Sequence, residues 1–293
     1  MQPNGVRSVG FIGLGIMGQH MAGHILDGGY KLHVYNRSRG NAEPLLAKGA
    51  VWHDSPGALA PACDVIFSIV GYPADVEQVY LGPEGLIARA KPGSVLIDAT
   101  TSSPTLATRI ATAAAAKGVT ALDAPVSGGD VGARNAKLAI MVGGDRAAFE
   151  RVRPVLDRMG GNIAHMGGPG AGQHTKMANQ IAIASTMMGV CECLSYARNA
   201  GLDPEAVLKV IGTGAASSFL LNNLGPRMVK GDYAAGFYVH HFIKDLGVAL
   251  AEAEQMKLKL PGLALAKQLY DRLSAQGHAQ DGTQALYRLY AAS

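Results

Sequence analysis

The sequence is poor in cysteine, with only Cys63, Cys191 and Cys193 among 293 residues. The odd count and the lack of a Cys-x-x-Cys pair argue against a disulfide framework and against a cysteine zinc site. Cys191 and Cys193 stand two apart on an expected helix and so point to different sides. Reduced thiols in a cytoplasmic protein are expected. Charge is also sparse. Asp, Glu, Lys and Arg make up 16% of the chain and leave a net charge of +4. Lys and Arg form no dense run, which argues against nucleic-acid and membrane-surface binding. No apolar stretch reaches about eighteen residues without a charge or a glycine, so no membrane span is expected. The first strand is expected within the first few residues, which leaves no room for a signal or transit peptide. His20 and His24 have a metal-compatible i, i+4 spacing but no apparent third ligand, so no metal site is expected.

Glycine, by contrast, is plentiful, with 38 residues. The informative ones follow the apolar run Val9-Gly10-Phe11-Ile12, where Gly13, Leu14, Gly15, Ile16, Met17 and Gly18 read Gly-x-Gly-x-x-Gly. In a dinucleotide site the first glycine permits the tight turn. The second lets a pyrophosphate approach the backbone, and the third lets the helix pack on the strand. The helix that follows aims free N–H groups and the positive end of its dipole at the phosphates. A second strand about twenty residues on completes the pattern. It ends Tyr35-Asn36-Arg37-Ser38, with no carboxylate to bind a ribose 2′-hydroxyl. Arg37 can grip a 2′-phosphate, Ser38 can donate to it, and Asn36 adds no repulsive charge. NADP is therefore the expected cofactor, with NAD as the alternative. An ordinary solvated arginine would look the same.

The fold class expected is α/β. A Rossmann-type doubly wound N-terminal domain spans 1–168, and an all-α C-terminal domain spans 169–293. Strands are expected at 9–12, 32–35, 65–70, 95–98, 121–124, 139–142 and, more weakly, 163–165, alternating with helices such as 105–117 and 147–159. Beyond Gly172 no strand is expected. Residues 173–199 read as one helix, apolar on nearly every side and so buried. Its apolar surface exceeds what a small helical domain can cover, so a homodimer or homotetramer is expected. Further helices are expected at 204–211, 218–228, 243–257, 262–276 and 283–291, with 167–172 as the hinge.

Four segments could carry chemistry. Asp98–Pro104 lies at the carboxyl end of a strand, where open α/β sheets bind ligands, although one of its hydroxyls would simply cap the next helix. Asp123–Gly129 again follows a strand, and its Ser127-Gly128-Gly129 turn offers successive N–H groups that could cradle a carboxylate, or is a plain surface turn. Gly170-x-Gly172-x-x-x-Lys176-x-x-Asn179 sets a cation and an amide on one face of the long helix. Lys176 is the only lysine or arginine between Gly167 and Arg198. It either reaches the surface or faces a polar site, where burial would lower its pKa toward neutrality and suit it to acid–base work. The fourth segment is Phe237–Asp245, in which Asp245 could cap or pair structurally.

Taken together, FIGLGIMG, DAPVSGG, GAGQHTKMANQ and FIKDL, in this order and spacing, resemble the β-hydroxyacid dehydrogenase family over essentially the whole chain. The resemblance implies a Rossmann domain, a helical domain and an active site between them. It also implies hydride transfer between a nicotinamide and a small carboxylate-bearing 3-hydroxy acid or its semialdehyde. By the same resemblance the catalytic lysine is Lys176 and the amide one turn on is Asn179. The substrate turn is Ser127, Gly128 and Gly129, and a second site lysine is Lys244. Thr101 stands on the nicotinamide side, and Val70 opens a loop near the adenosine. An imine reductase and a non-catalytic NADP-binding module are alternatives on this scaffold. The lysine at 176 speaks against both, and the lack of a basic tail speaks against the second. Three positions depart from the family pattern. His240-His241 replaces a frequent Asp-Leu, Val70-Gly71-Tyr72-Pro73 replaces the usual loop, and Thr100 replaces a serine. A histidine sharing a helical face with Lys244 would titrate between about pH 5 and 8 and favour a substrate with an extra carboxylate or hydroxyl. The alternative is that both rings only pack and cap.

Overall fold

The computed structural model describes residues 5–291. The chain forms two compact units, Met1–Lys176 and Met177–Ser293, and the boundary falls inside the helix Ala171–Asn199.

The first unit is built on one sheet of nine strands: β1 (Ser8–Ile12), β2 (Lys31–Tyr35), β3 (Val51–Trp52), β4 (Val65–Ser68), β5 (Val95–Asp98), β6 (Thr120–Asp123), β7 (Val126–Ser127), β8 (Leu138–Gly143) and β9 (Gly160–Gly167). The order is β3-β2-β1-β4-β5-β6-β8-β7, with β9 also on β8. From β3 to β6 all pairs are parallel, and every residue of β4 and β5 is buried. Runs of this kind need cover on both faces. Val9, Phe11, Phe67 and Ile97 pack on one face with Met21 and Ile25 of the helix Gly18–Asp27 and Phe149 of the helix Arg146–Leu156. Ile12, Ile66 and Leu96 pack on the other with Tyr80 and Ile110. The sheet then changes direction, because β8 runs antiparallel to β6 and β7 and parallel to β9.

The second unit is helical, with no strand among its described residues. The helices Pro204–Ile211, Val239–Gln255 and Pro261–Leu273 surround a core of Met187, Cys191, Leu194, Phe242, Leu246 and Tyr270. Where one helix was expected over 218–228, a wide π-type turn at Leu220–Leu224 precedes the short helix Gly225–Val229. Pro226 has no N–H to continue an α ladder, which explains the break. The long helix is not buried all round. Ala178, Ala182, Ser185, Gly189, Glu192 and Tyr196 form an exposed face, and most of them are small.

Candidate active site

Strand order reverses between β1 and β4, and the crevice at their carboxyl ends is where doubly wound sheets bind ligands. The glycine turn lies there. A Cβ on Gly13 (φ +92°) would overlap the Ile69 carbonyl oxygen, and one on Gly18 would overlap the Gly13 carbonyl oxygen. These two glycines are required by the protein itself. Gly15 is different. It is exposed, and its Cβ would meet nothing within 4 Å. The protein has no packing reason to keep that space clear, whereas a phosphate approaching the helix start does. The residues therefore fit a dinucleotide. Leu14 and Gly18 are buried, Met17 half-buried and Ile16 exposed.

The end of β2 is tied to this turn. The Leu14 N–H donates to Asn36 Oδ1 at 2.8 Å, and Asn36 Nδ2 donates to the Ser38 carbonyl at 2.9 Å. Asn36 thus has a structural task that its motif position did not reveal. Arg39 lies over the Trp52 ring at 5.3 Å and pairs with Glu43 at 3.7 Å. Arg37 is exposed, and no described residue forms an ion pair with it. The Ser38 hydroxyl makes no cap hydrogen bond.

Beside the crevice, the end of β5 is held by a buried network. Ser68 Oγ lies 2.9 Å from Tyr80 Oη and donates to Asp98 Oδ1 at 3.1 Å, which also accepts from the Thr100 N–H at 3.0 Å. The Val70 N–H donates to Thr100 Oγ1 at 2.9 Å. Burial, above all, pushes the Asp98 carboxyl up to about 7. Thr101 follows, half-buried, and Ser103 caps the helix Pro104–Ala115 by accepting from the Leu106 N–H. Ser127 ends β7, which pairs with β8, and Gly128 (φ +131°) turns the chain into a short helix beginning at Gly129.

Lys176 is only 7% exposed on the helix Ala171–Asn199. The start of that helix is anchored by Asp123 at the end of β6. Its carboxylate accepts from the Gly170 N–H and the Gln173 N–H, both at 2.8 Å. Burial raises the Asp123 pKa, and those backbone donors oppose the shift. One turn beyond Lys176, Asn179 opens a second chain of contacts in the helical unit. Asn179 Nδ2 donates to Gln180 Oε1 at 2.8 Å, and Gln180 Nε2 donates to Asp245 Oδ2 at 2.5 Å. Asp245 is buried and pairs with Lys244 Nζ at 2.9 Å, so the expected structural pairing of Asp245 is present. Gln173 and Gln180 are not among the residues expected in the site, and Asp123 is there only as the first residue of the segment running to Gly129. A signal was available for the first two: Gln173, Lys176 and Gln180 follow i, i+3, i+7 spacing, a polar line along an apolar helix. His24 Nε2 is occupied, donating to the Ala133 carbonyl at 2.9 Å. No group of three His, Cys, Asp or Glu gathers among the described residues, and no described helix is long and apolar enough to cross a membrane.

Two family models match the chain. The NAD binding domain of 6-phosphogluconate dehydrogenase matches residues 8–168, and the NAD-binding domain of NADP-dependent 3-hydroxyisobutyrate dehydrogenase matches residues 170–290. The 2-hydroxy-3-oxopropionate reductase of Escherichia coli is 40% identical over 93% of this chain and 93% of its own length. The chain belongs to the β-hydroxyacid dehydrogenase family. An uncharacterized oxidoreductase of Bacillus subtilis is 56% identical over 97% of this chain and 99% of its own. The crystal structure of a 3-hydroxyisobutyrate dehydrogenase from Salmonella typhimurium superposes with a TM-score of 0.87 at 30% identity, covering 97% of this chain and 99% of that one. Membership makes the protein a nicotinamide-dependent oxidoreductase of the 3-hydroxyacid class.

One departure from the pattern of β-hydroxyacid dehydrogenases takes physical form here. His240 Nδ1 donates to the Ala279 carbonyl at 2.8 Å, so this ring braces the helix start. The His241 ring lies 4.2 Å from it. Burial, then the charges of His240 and Lys244, lower the His241 pKa to about 4. Its titration is thereby moved below the pH 5–8 range expected for such a histidine.

Proposed function

We propose that this protein is an NADP(H)-preferring 3-hydroxyacid dehydrogenase, working as a semialdehyde reductase in the reverse direction. The observation that carries the reading is Lys176, a buried lysine on an apolar helix whose first turn is anchored beside the carboxyl edge of the sheet. Burying a cation is costly unless a polar task repays it. Bound in the crevice, the nicotinamide would accept or supply the hydride. Lys176 takes the hydroxyl proton of the substrate during oxidation and returns it to the carbonyl oxygen during reduction. Its charge also stabilises the oxygen as negative charge develops there. The Ser127 hydroxyl and the N–H groups of Gly128 and Gly129 hold the substrate carboxylate. Asn179 orients the hydroxyl. Lys244, held in the helical unit by its ion pair with Asp245, is the second lysine that the family resemblance assigns to substrate and cofactor.

Cofactor preference rests on Arg37 and Ser38. Arg39 is occupied by Trp52 and Glu43, whereas Arg37 is exposed at the end of β2. Losing a charge-assisted contact to a 2′-phosphate costs about 1.5–3 kcal/mol, roughly ten- to a hundredfold. The test is kcat/KM for both cofactors in wild type and Arg37→Ala, over a panel of C2 to C4 hydroxy acids and semialdehydes. A preference for NADP that collapses in the variant is expected. Equal use of the two cofactors by wild type would refute it. A cytoplasmic homodimer or homotetramer is part of the same proposal. The three free thiols accord with a reducing compartment. The small-residue face of the long helix would let a second helix approach closely.

A further inference from the structure

Gln173 is fully buried, with 0% of its surface exposed, and both ends of its carboxamide are committed. Its Nε2 donates to the Thr100 carbonyl at 2.7 Å, and its Oε1 accepts from the Ser102 N–H at 2.9 Å. One side chain thus spans the residues immediately before and after Thr101. Thr100 is held on its other sides too, through its N–H to Asp98 and its Oγ1 from Val70. The Gln173 backbone N–H meanwhile donates to Asp123 Oδ2. The next residue of the same helical face is Lys176, three positions and about 4.5 Å of rise further on. The helix start cannot back away from this arrangement, and it cannot come closer. A Cβ on Gly172 would overlap the Met141 carbonyl oxygen and stand 2.8 Å from the Asp123 carbonyl oxygen.

We propose that Gln173 is a positioning residue for hydride and proton transfer. Its carboxamide fixes the loop carrying Thr101 in register with the helix turn carrying Lys176. The inference rests on the reading of Lys176 and Thr101 given above. A neutral amide is the group this place demands. It offers a donor and an acceptor at once without burying a net charge beside the Asp123 carboxylate. An ionised glutamate would accept from the Ser102 N–H but face the Thr100 carbonyl with no proton to donate. A protonated glutamate would restore both bonds. Burial and the Asp123 carboxylate favour the protonated form, and an ammonium on Lys176 one turn on favours the ionised one. Asp98, which holds Thr100 from its other side, titrates in every variant and is removed by taking the ratio to wild type.

The test compares wild type, Gln173→Glu, Gln173→Met and Lys176→Ala. For each, kcat and KM are measured from pH 5.5 to 9, cofactor Kd is measured by fluorescence titration, and Tm is recorded. Gln173→Met should lower kcat about ten- to a hundredfold, the scale of a misplacement of roughly 1 Å. Its cofactor Kd should change little, because the glycine turn and Arg37 are untouched. Gln173→Glu should approach wild-type kcat at the acid end and lose it progressively, relative to wild type, as pH rises. Mere loss of structure would lower Tm and scale kcat by a pH-independent factor. Should Gln173→Met fail to fold, the pH dependence of the Gln173→Glu ratio decides. Gln173→Glu tracking wild type at every pH, or falling by one constant factor, overturns the proposal while Lys176→Ala stays inactive. Wild-type turnover in Lys176→Ala would instead remove the catalytic reading and this inference with it.

Discussion

Replacing Gly15 with alanine separates what the fold needs from what the ligand needs. Gly13 and Gly18 each face a backbone carbonyl that a Cβ would overlap, and Gly13 has a φ of +92° as well. Alanine at either position forces the backbone to move, at about 1–3 kcal/mol, and the positive φ at Gly13 adds about 1–2 kcal/mol. At about 2–4 °C per kcal/mol for a domain of this size, Tm should fall by several degrees or more. Gly15 has an ordinary φ and open space around its missing Cβ. Gly15→Ala should therefore leave the fold intact and even stabilise it by about 0.4–1 kcal/mol, through the less mobile unfolded chain. Its methyl would nonetheless stand where a pyrophosphate must approach. Displacing the phosphate by that much breaks one or two charge-assisted hydrogen bonds of about 1.5–3 kcal/mol each, at least about tenfold in affinity. Tm and cofactor Kd measured on the three alanine variants form the assay. Unchanged cofactor Kd in Gly15→Ala, or unchanged Tm in Gly18→Ala, would refute the reasoning.

Two further predictions concern stability and assembly. Asp98 titrates near 7 in the folded protein against 3.8 ordinarily. Its contribution is thus full below about pH 4 and lost as pH rises through 7, by at most about 4 kcal/mol at about 1.4 kcal/mol per pH unit. Asp98→Asn keeps the acceptor for Ser68 and Thr100 but cannot ionise, so its Tm should gain on wild type from pH 4.5 to 8. A constant difference would show that Asp98 is not the titrating group. Light scattering at micromolar concentration should report at least a dimer, and Gly189→Trp, placed where a Cβ meets nothing within 4 Å, should weaken it. A monomeric wild type would contradict the assembly proposed for the long helix.

Much of the fold could be read from apolar runs. β1, β2, β4, β5, β6 and β8 lie where Val, Ile, Leu and Phe cluster, because a strand covered on both faces has little room for polar residues. β3 and β7 were not legible. Each has only two residues, and neighbouring strands define them. β9 was legible only at its centre. It runs from Gly160 to Gly167 with no fully buried residue, so burial left no strong pattern in its sequence. The candidate site divides in the same way. Glycines leave a local signature, and so does a lysine alone on an apolar helix. The residues that fix them do not. Asp123 reaches Gly170 and Gln173 across 47 and 50 positions, and Gln180 reaches Asp245 across 65. Such partnerships exist only once the chain has folded.

In the proposed mechanism Lys176 moves the proton while the crevice around Gly15 holds the cofactor. The direct measurement is kcat for Lys176→Ala against wild type on the best substrate of the panel, with NADPH Kd determined on the same two samples. The expected result is a loss of about 10²–10⁴-fold in kcat, the worth of general acid–base catalysis, with Kd within a few-fold of wild type. Near-wild-type turnover in Lys176→Ala would contradict the account and reduce Lys176 to a packing residue.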